Sequence, residues 1–323
     1  MIFRRIKQIL LLAAIAASVS WASVVSTLSA RSSDDAEIKA IAFLAREVPA
    51  WSKTNGCFSC HNNGDAARAL YAATRKGLNV PANALADTNT WVSNPTGWKN
   101  NKGDPGFSDK RLADIQFAAS MLAAIESGQL KDRHSLETAA RLVAANQGEN
   151  GAWRIDAGNT PGSPATYGTP LATLMALRTL KAANLPEFKP ALQKGETWMR
   201  QISPNNVLTA AALLMFSIEI ADQQKQADSL KLIRAAQTSD GGWGPYADSP
   251  PEVFDTAVVL LALSELKDRS EVEAAMQRGR KFLIAEQQPD GSWPETTRPS
   301  GGESYAQRMS TTGWATLALL ATR

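Results

Sequence analysis

The sequence predicts an all-α fold, and three observations lead to this prediction. Apolar residues recur at helical spacing, as in the stripe formed by Leu112, Ile115, Ala119, Leu122 and Ile125. Alternating runs rich in Val, Ile and Thr, which would indicate strands, are absent from the sequence after residue 33. Gly, Pro and Asn concentrate between the periodic segments, where helices begin and end. We therefore expect about eleven helices joined by linkers.

The elements follow in order along the chain. Residues 38–48 and the segment after Gly64 form the first two predicted helices. Ser108 and Ser135 are predicted N-caps of the next two, because a hydroxyl before an apolar stripe satisfies free backbone amides. Pro170 falls in the first turn of another helix, where its missing N–H costs nothing. The remaining stripes occupy residues 192–202, 208–218, 230–237, 258–263, 276–283 and 314–320.

Composition excludes several classes of protein. The 323 residues carry 34 basic and 31 acidic side chains, and this balance gives no electrostatic reason to expect a nucleic-acid partner. Two Cys cannot form a disulfide scaffold. An apolar share of 44% in a chain of this length is sufficient for a large buried core.

The first thirty residues resemble an export signal. Arg4, Arg5 and Lys7 precede an uncharged stretch over residues 8–30, which is the pattern of a secretory leader. Cleavage after the small-x-small sequence Ser20-Trp21-Ala22 is one outcome. Retention as an N-terminal membrane anchor is the other, since about twenty uncharged residues can span a bilayer. Either outcome predicts a periplasmic or exported protein, with membrane attachment only through an uncleaved leader.

A repeat is present in the second half of the chain. Three segments follow the pattern Gln-x-x-x-Gly-x-Trp, each between two predicted helices. Gly permits a left-handed backbone at a helix exit, and the Gln amide can bridge backbone groups of neighbouring helix ends. We therefore predict a structural role for the repeat residues: Gln147, Gly151 and Trp153; Gln237, Gly241 and Trp243; and Gln287, Gly291 and Trp293.

This repeat resembles the QW repeats of the superfamily that contains squalene–hopene cyclases, oxidosqualene cyclases and protein prenyltransferases. The resemblance implies an α/α toroid, in which helix hairpins form a ring with an inner and an outer layer around a central cavity. We expect the toroid over residues 111–323, preceded by a helical region at 34–110 and the leader at 1–30. We also expect the helix that follows the C-x-x-C-H motif in the 34–110 region to form one hairpin of the toroid. An apolar small molecule is the ligand that the resemblance implies.

The chemistry of that superfamily has only partial counterparts here. Cyclases of the hopene type start their reaction with an Asp-x-Asp-Asp motif, which this chain lacks. The zinc of prenyltransferases is held by Asp, Cys and His, and this sequence has no Cys or His after His134. Asp255, Glu303 and Arg308 remain as candidate cavity residues, although Asp255 is also placed to cap a helix and the other two to lie in a solvated loop and helix start.

Cys57-Phe58-Ser59-Cys60-His61 is the C-x-x-C-H pattern of c-type haem attachment. Two thiols with this spacing form thioethers to one covalent haem, and His61 then becomes the proximal iron ligand. The export signal agrees with this interpretation, because attachment takes place outside the cytoplasm. A redox dithiol or disulfide, and a zinc site that includes His134, are the alternatives.

Three alternatives remain for the sixth coordination position of the iron: Met121, His134, or no protein ligand. Two functions are therefore predicted. The first is an exported c-type haem protein on a cyclase-like toroid, which exchanges electrons with a periplasmic redox partner or uses its haem for redox chemistry. The second is an enzyme that acts on an isoprenoid or other apolar substrate in the toroid cavity.

Overall fold

A computed structural model describes residues 35–102, 109–155, 161–266, 270–296, 298 and 304–323. The predicted leader at 1–30, the predicted cap Ser108 and the candidate Glu303 lie outside these residues. The described chain is helical and has no strand, which confirms the all-α prediction. None of its described helices is both long and apolar enough to cross a membrane.

The described residues contain twelve α-helices. A π-helical segment, Cys60–Ala66, leads directly into the second, and three short 3₁₀ turns lie between others. Their bounds are α1 (residues 35–55), α2 (Ala67–Arg75), α3 (Ala86–Val92), α4 (Lys110–Glu126), α5 (Arg133–Ala145), α6 (Thr169–Ala183), α7 (Lys189–Gln201), α8 (Val207–Glu219), α9 (Gln223–Ala236), α10 (Val253–Ser264), α11 (Glu273–Ala285) and α12 (Tyr305–Ala321).

The even-numbered helices form a closed inner ring. Each packs on the next in the order α2, α4, α6, α8, α10 and α12, and α12 packs on α2 again. The odd-numbered helices lie outside them, so burial differs sharply between the layers. Inner helix α8 buries nearly every residue, whereas outer helix α7 buries only Gly195 and Met199. The architecture is therefore an α/α toroid, as the sequence predicted.

The segment that carries the C-x-x-C-H motif belongs to this ring. The π-helical segment and α2 lie between α12 and α4 in the inner layer, and α1 covers them from outside. The predicted boundary near residue 110 therefore falls inside the ring, between α3 and α4. Inner and outer helices alternate along the chain, so each outer helix returns the chain to the start of the next inner one. The inner helices therefore run in the same direction, and their N-terminal ends lie at one mouth of the toroid.

Each QW repeat joins two layers of the toroid. The Gln side-chain amide donates to the carbonyl of the motif Gly and to a carbonyl of the next outer helix around the ring, over 2.8–3.1 Å. The three Gly residues have φ of +91° to +93°. Each Trp is fully buried, and its indole N–H donates to a carbonyl ten residues upstream over 2.6–2.7 Å. The backbone amide of each Trp donates to a Thr of the next inner helix over 2.8–3.1 Å, so the repeats fix neighbouring outer helices to each other and to an inner helix.

Both predicted serine caps are wrong. Asp109, and not Ser108, caps α4: its carboxylate accepts from the Arg111 amide at 2.8 Å. Asp132, not Ser135, caps α5: its carboxylate accepts from the His134 amide at 2.9 Å. Asp132 precedes the helix with extended backbone, so its side chain reaches the free amides first. The Ser135 hydroxyl donates to that carboxylate and contacts the Ser93 carbonyl instead.

Candidate functional site

The C-x-x-C-H motif opens into a buried polar segment at the N-terminal mouth of the inner ring. Ser59 caps the π-helical turn by accepting from the amides of His61 and Asn62. Residues 62–65, although polar apart from one Gly, are all buried. Buried polar groups are tolerated only where they are hydrogen-bonded, so the partners of these side chains define the site.

Asp65 is the centre of this network. Gln116 of α4 and Ser310 of α12 each donate to Asp65 Oδ2 at 2.7 Å. The Tyr167 hydroxyl donates to Oδ1, and Arg68 Nη1 lies 3.7 Å from the same oxygen. Every hydrogen-bond partner of Asp65 is a donor, which is the environment of an ionised carboxylate. The network thus joins α4, α12 and the loop before α6 across the ring.

The proton positions around His61 follow from this arrangement. His61 Nδ1 lies 2.7 Å from Ser310 Oγ. The one hydroxyl proton of Ser310 points at Asp65, because an ionised carboxylate only accepts. Ser310 must therefore accept from His61, which carries its proton on Nδ1. Burial lowers the pKa of His61, so the ring is neutral and Nε2 retains its lone pair.

Tyr167 is held in a strained conformation to make its contact. Its φ is +60°, in the left-handed region that residues other than Gly rarely adopt. The side chain is fully buried, and burial raises the pKa of the phenol well above its ordinary value. Trp314 of α12 packs edge to face against both Tyr167 and Phe254 of α10. Tyr167 precedes α6, which is not a neighbour of α12 in the ring, so the three aromatic rings meet inside it.

Asp255 forms a second buried acidic centre at the same mouth. Arg298 Nη2 donates to both of its carboxylate oxygens at 3.0 and 2.8 Å, and Arg298 Nη1 lies 2.8 Å from Glu252. Arg298 also donates to the Gly162 carbonyl, so it ties three segments together. Burial raises the pKa of Asp255 to about 7, although Arg298 pulls it down. Asp255 is not the helix cap, since Glu252 occupies that position.

The two Cys are free thiols and partly exposed. Burial, helped by the charge of Asp65, raises the pKa of the Cys60 thiol to about 12. Such a thiol is protonated at neutral pH and lacks the low pKa of a reactive redox dithiol. Within the described ranges, no cluster of three or more Cys, His, Asp or Glu side chains is arranged to hold a metal ion. The zinc alternative therefore has no set of ligands there.

The remaining predicted residues lie apart from this network. Met121 is fully buried in the hydrophobic core. His134 begins outer helix α5 and is 81% exposed, and its neighbour Arg133 contacts the last turn of α6, at the opposite mouth. Arg308 binds Asp290 and Ser292 in the third QW loop, and this is a structural contact.

The sequence prediction missed most of the network. Asp65, Gln116, Tyr167 and Ser310 were not identified, because 51 to 245 residues separate the partners along the chain. One signal was available: the polar run Asn62-Asn63-Gly64-Asp65 follows the motif inside what is otherwise an apolar helix. A second missed set is Thr173, Thr256 and Thr312, whose hydroxyls accept from the repeat Trp amides.

The fold and its repeats define a toroid of the terpene-cyclase kind. Residues 204–323 match the family described as the squalene-hopene cyclase C-terminal domain. A squalene-hopene cyclase of Schizosaccharomyces japonicus is 30% identical over an alignment 135 residues long, and the match covers 35% of this chain and 20% of that protein. The chain thus matches about a fifth of the length of this curated relative.

Solved structures extend the likeness to nearly the whole chain. A variant of the type II terpene cyclase MstE from Scytonema, in complex with the substrate geranylgeranyl dihydroxybenzoate, superposes with a TM-score of 0.54 at 17% identity. The match covers 90% of this chain and 97% of the cyclase. The apo form of the same cyclase gives a TM-score of 0.52 with similar coverage. At this level of identity the likeness establishes the fold.

Proposed function

We propose that this chain is an enzyme that acts on an apolar, isoprenoid-class molecule held by the toroid. The observation that carries the proposal is the closed inner ring, which is shared with a type II terpene cyclase that binds a geranylgeranyl substrate. Inside that ring Tyr167, Phe254 and Trp314 pack edge to face and are buried against one another, so the interior of the ring is aromatic at this level.

Asp255 is our candidate for proton transfer to such a substrate. A buried carboxyl group with a pKa of about 7 changes protonation state near neutral pH, which is the property of a general acid or base. Arg298 holds the carboxyl group in place through both oxygens. Asp65 accepts hydrogen bonds from Gln116, Tyr167 and Ser310, and Ser310 in turn contacts His61, so we assign Asp65 a positioning role.

Product analysis tests this proposal. Purified protein is incubated with geranylgeraniol or squalene, and extracts are examined by gas chromatography and mass spectrometry. We expect a product from the wild type and from the exposed-loop control Asp290→Asn. We expect at least a 100-fold loss in the double variant Asp255→Asn/Arg298→Gln, which removes the acid without leaving Arg298 unpaired. Folded wild-type protein that returns both substrates unchanged would contradict the proposal.

A second function is favoured by the orientation of His61: covalent binding of haem c. Ligating His residues donate their second ring N–H to a fixed acceptor, and His61 does so through Nδ1 to Ser310. Nε2 is left as the ligand atom, and two partly exposed free thiols precede it at the attachment spacing. The donor set therefore fits the group. When bound, haem would supply reversible one-electron exchange at iron.

The chain's own residues would then hold and orient the group. Cys57 and Cys60 would anchor it. The hydrogen bonds between Asp65 and Ser310 and between Ser310 and His61 would keep the His61 ring in one orientation. Cys60 packs against the hydrophobic core, so this anchor would be fixed to the toroid. A haem in this place could serve as the oxidant for the substrate of the first proposal or exchange electrons with a periplasmic partner.

Covalent haem is tested directly. Protein is produced in the periplasm of a host with cytochrome c maturation, and haem is stained on a denaturing gel. We expect staining of the wild type, loss of staining in Cys57→Ala and Cys60→Ala, and a changed absorption spectrum in His61→Ala. His134→Ala, at the opposite mouth, is the matched control and should be unchanged. Colourless wild-type protein would exclude the second function and leave the first intact.

A further inference from the structure

We infer that the toroid contains a binding site for an amphiphilic monoanion, with Arg68 as the residue that binds its carboxylate. The inference goes beyond the proposed function: the site lies at the mouth opposite Asp255 and takes a ligand of its own class, an apolar chain with one acidic head. It starts from a cavity at the mouth opposite the Asp65 network.

This cavity lies inside the ring and has a volume of about 300 Å³. Its walls come from α2, α4, α6 and α12, with the end of α10, so it is open towards the C-terminal ends of the inner helices. The wall combines apolar side chains with five charged ones. The apolar ones include Ala72, Ala119, Leu122, Met175 and Leu317, and the charged ones are Arg68, Arg75, Arg178, Glu126 and Glu265. A water molecule occupies about 30 Å³ in the liquid, so the space suits a small organic molecule.

Charge in the cavity is arranged by depth. Arg75 and Arg68 both belong to α2 and are separated by two helical turns, or about 10 Å along the axis. Arg75 is half exposed and pairs with Glu126 at 3.0 Å. Arg68 lies at the inner end, with a side chain only 13% exposed and its guanidinium 4.6 Å from the Trp314 ring centroid.

Arg68 has unused hydrogen-bonding capacity. Its Nη1 is buried and has no hydrogen-bond partner among the described residues, since Asp65 Oδ1 at 3.7 Å is too distant. Buried donors without partners are rare in proteins and indicate a missing partner. Asp65 itself is already satisfied by Gln116, Tyr167 and Ser310.

Two other internal arginines show what such a partner would be. Arg178 binds both Glu219 and Glu265, each at 2.7 Å. Arg298 likewise binds both Asp255 and Glu252, each at 2.8 Å. Arg68 contacts one carboxylate, and only loosely. A ligand carboxylate would complete the same two-carboxylate arrangement at Arg68. The apolar side chains of the cavity wall would contact the rest of the ligand.

Binding of three probes tests the inference by isothermal titration calorimetry on the wild-type protein: decanoate, decanol and acetate. We expect decanoate to bind most tightly, about 10-fold or more above decanol, because the alcohol lacks the charge that Arg68 binds. Acetate should bind weakly, since it cannot bury a chain. Equal affinity for decanoate and decanol, or for decanoate and acetate, would overturn the inference.

Variants locate the site. Arg68→Met keeps the apolar stem and should weaken decanoate binding about 10-fold or more. Arg141→Met on outer helix α5, whose arginine pairs with Glu187 away from the cavity, is the matched control and should change it less than 2-fold. Because Arg68→Met leaves Asp65 without a nearby cation and can impair folding, Ala72→Phe provides a second test by filling the cavity without touching Arg68. Full decanoate affinity in folded Ala72→Phe would contradict the inference. Decanoate binding without turnover of any isoprenoid would refute the enzyme proposal and leave this site standing.

Discussion

Asp65, Ser310 and His61 form a chain of hydrogen bonds in which each partner fixes the proton of the next. The Asp65 carboxylate accepts a hydrogen bond from the Ser310 hydroxyl, and the Ser310 oxygen in turn accepts one from His61 Nδ1–H. A neutral His with a free Nε2 serves equally as a ligand or as a base. His61, which follows the two Cys, is therefore held in one orientation and one tautomer by Ser310 of α12 and, through Ser310, by Asp65.

The tautomer of His61 can be measured without any bound group. In ¹⁵N NMR spectra of protein produced without haem, we expect the Nδ1–H form in the wild type. Ser310→Ala removes the acceptor and should shift the population towards Nε2–H. Thr316→Ala, on the same helix but bonded only to the Thr312 carbonyl, is the control and should leave the spectrum unchanged. An Nε2–H signal in the wild type would contradict the proton assignment.

Asp255 should make folding pH-dependent. Its pKa is about 7 in the folded protein and about 3.9 in an unfolded chain, so the folded state retains the proton more strongly. The resulting stabilisation is complete below pH 4 and is lost as pH rises towards 7, with a maximum on the order of 4 kcal/mol. Urea unfolding at pH 4, 5.5 and 7 measures the free energy of unfolding of the wild type and of Asp255→Asn. The difference between the two should shrink as the pH rises from 4 to 7. A difference that grows with pH would contradict the assignment.

At the scale of elements, the QW repeat joins one outer helix, one inner helix and the loop between them. The sequence predicted this role well, because the motif contains Gly, Gln and Trp in fixed order at helix exits, and each of these residues has one structural use. The helices were predictable for the same reason, as their apolar stripes are local. The partners of Asp65 were not, because a buried polar contact between distant segments leaves no periodic signal.

Trp243 tests the structural role of the repeat. Trp243→Phe removes the indole N–H that donates to Ile233 and should lower the free energy of unfolding by about 1–3 kcal/mol. Trp243→Ala also opens a cavity and should cost about 3–5 kcal/mol. Thermal and urea unfolding measure both. Unchanged stability with altered haem staining or product formation would instead assign Trp243 to the functional site.

At the scale of the molecule, the ring closes through its two ends. The third repeat does not hold the next helix in sequence but α1, where Gln287 donates to the Ala36 carbonyl. Buried Glu37 of α1 pairs with Arg280 at 3.2 Å and Arg323 at 2.8 Å. Closure therefore joins segments separated by some 250 residues, and the C-x-x-C-H segment becomes part of the inner ring. The resemblance covers only residues 111–323, and the place of the C-x-x-C-H helix as one more hairpin of the toroid was a separate expectation from the sequence.

Gly291 provides a test of ring closure. Its φ is +93°, and an added Cβ would meet the Lys39 carbonyl of α1. Gly77 has a similar φ of +73° but open space around it, so Gly77→Ala measures the backbone cost alone, about 1–2 kcal/mol. We expect Gly291→Ala to destabilise the protein by several kcal/mol more. Equal losses of stability in the two variants would mean that α1 does not close the ring.

The most direct test of the central claim is a product assay on wild-type protein, prepared both with and without cytochrome c maturation. The account predicts that geranylgeraniol or squalene is converted to a new compound and that conversion disappears in Asp255→Asn/Arg298→Gln. Recovery of both substrates unchanged from both folded preparations would contradict the claim that this toroid is an enzyme for isoprenoid-class molecules.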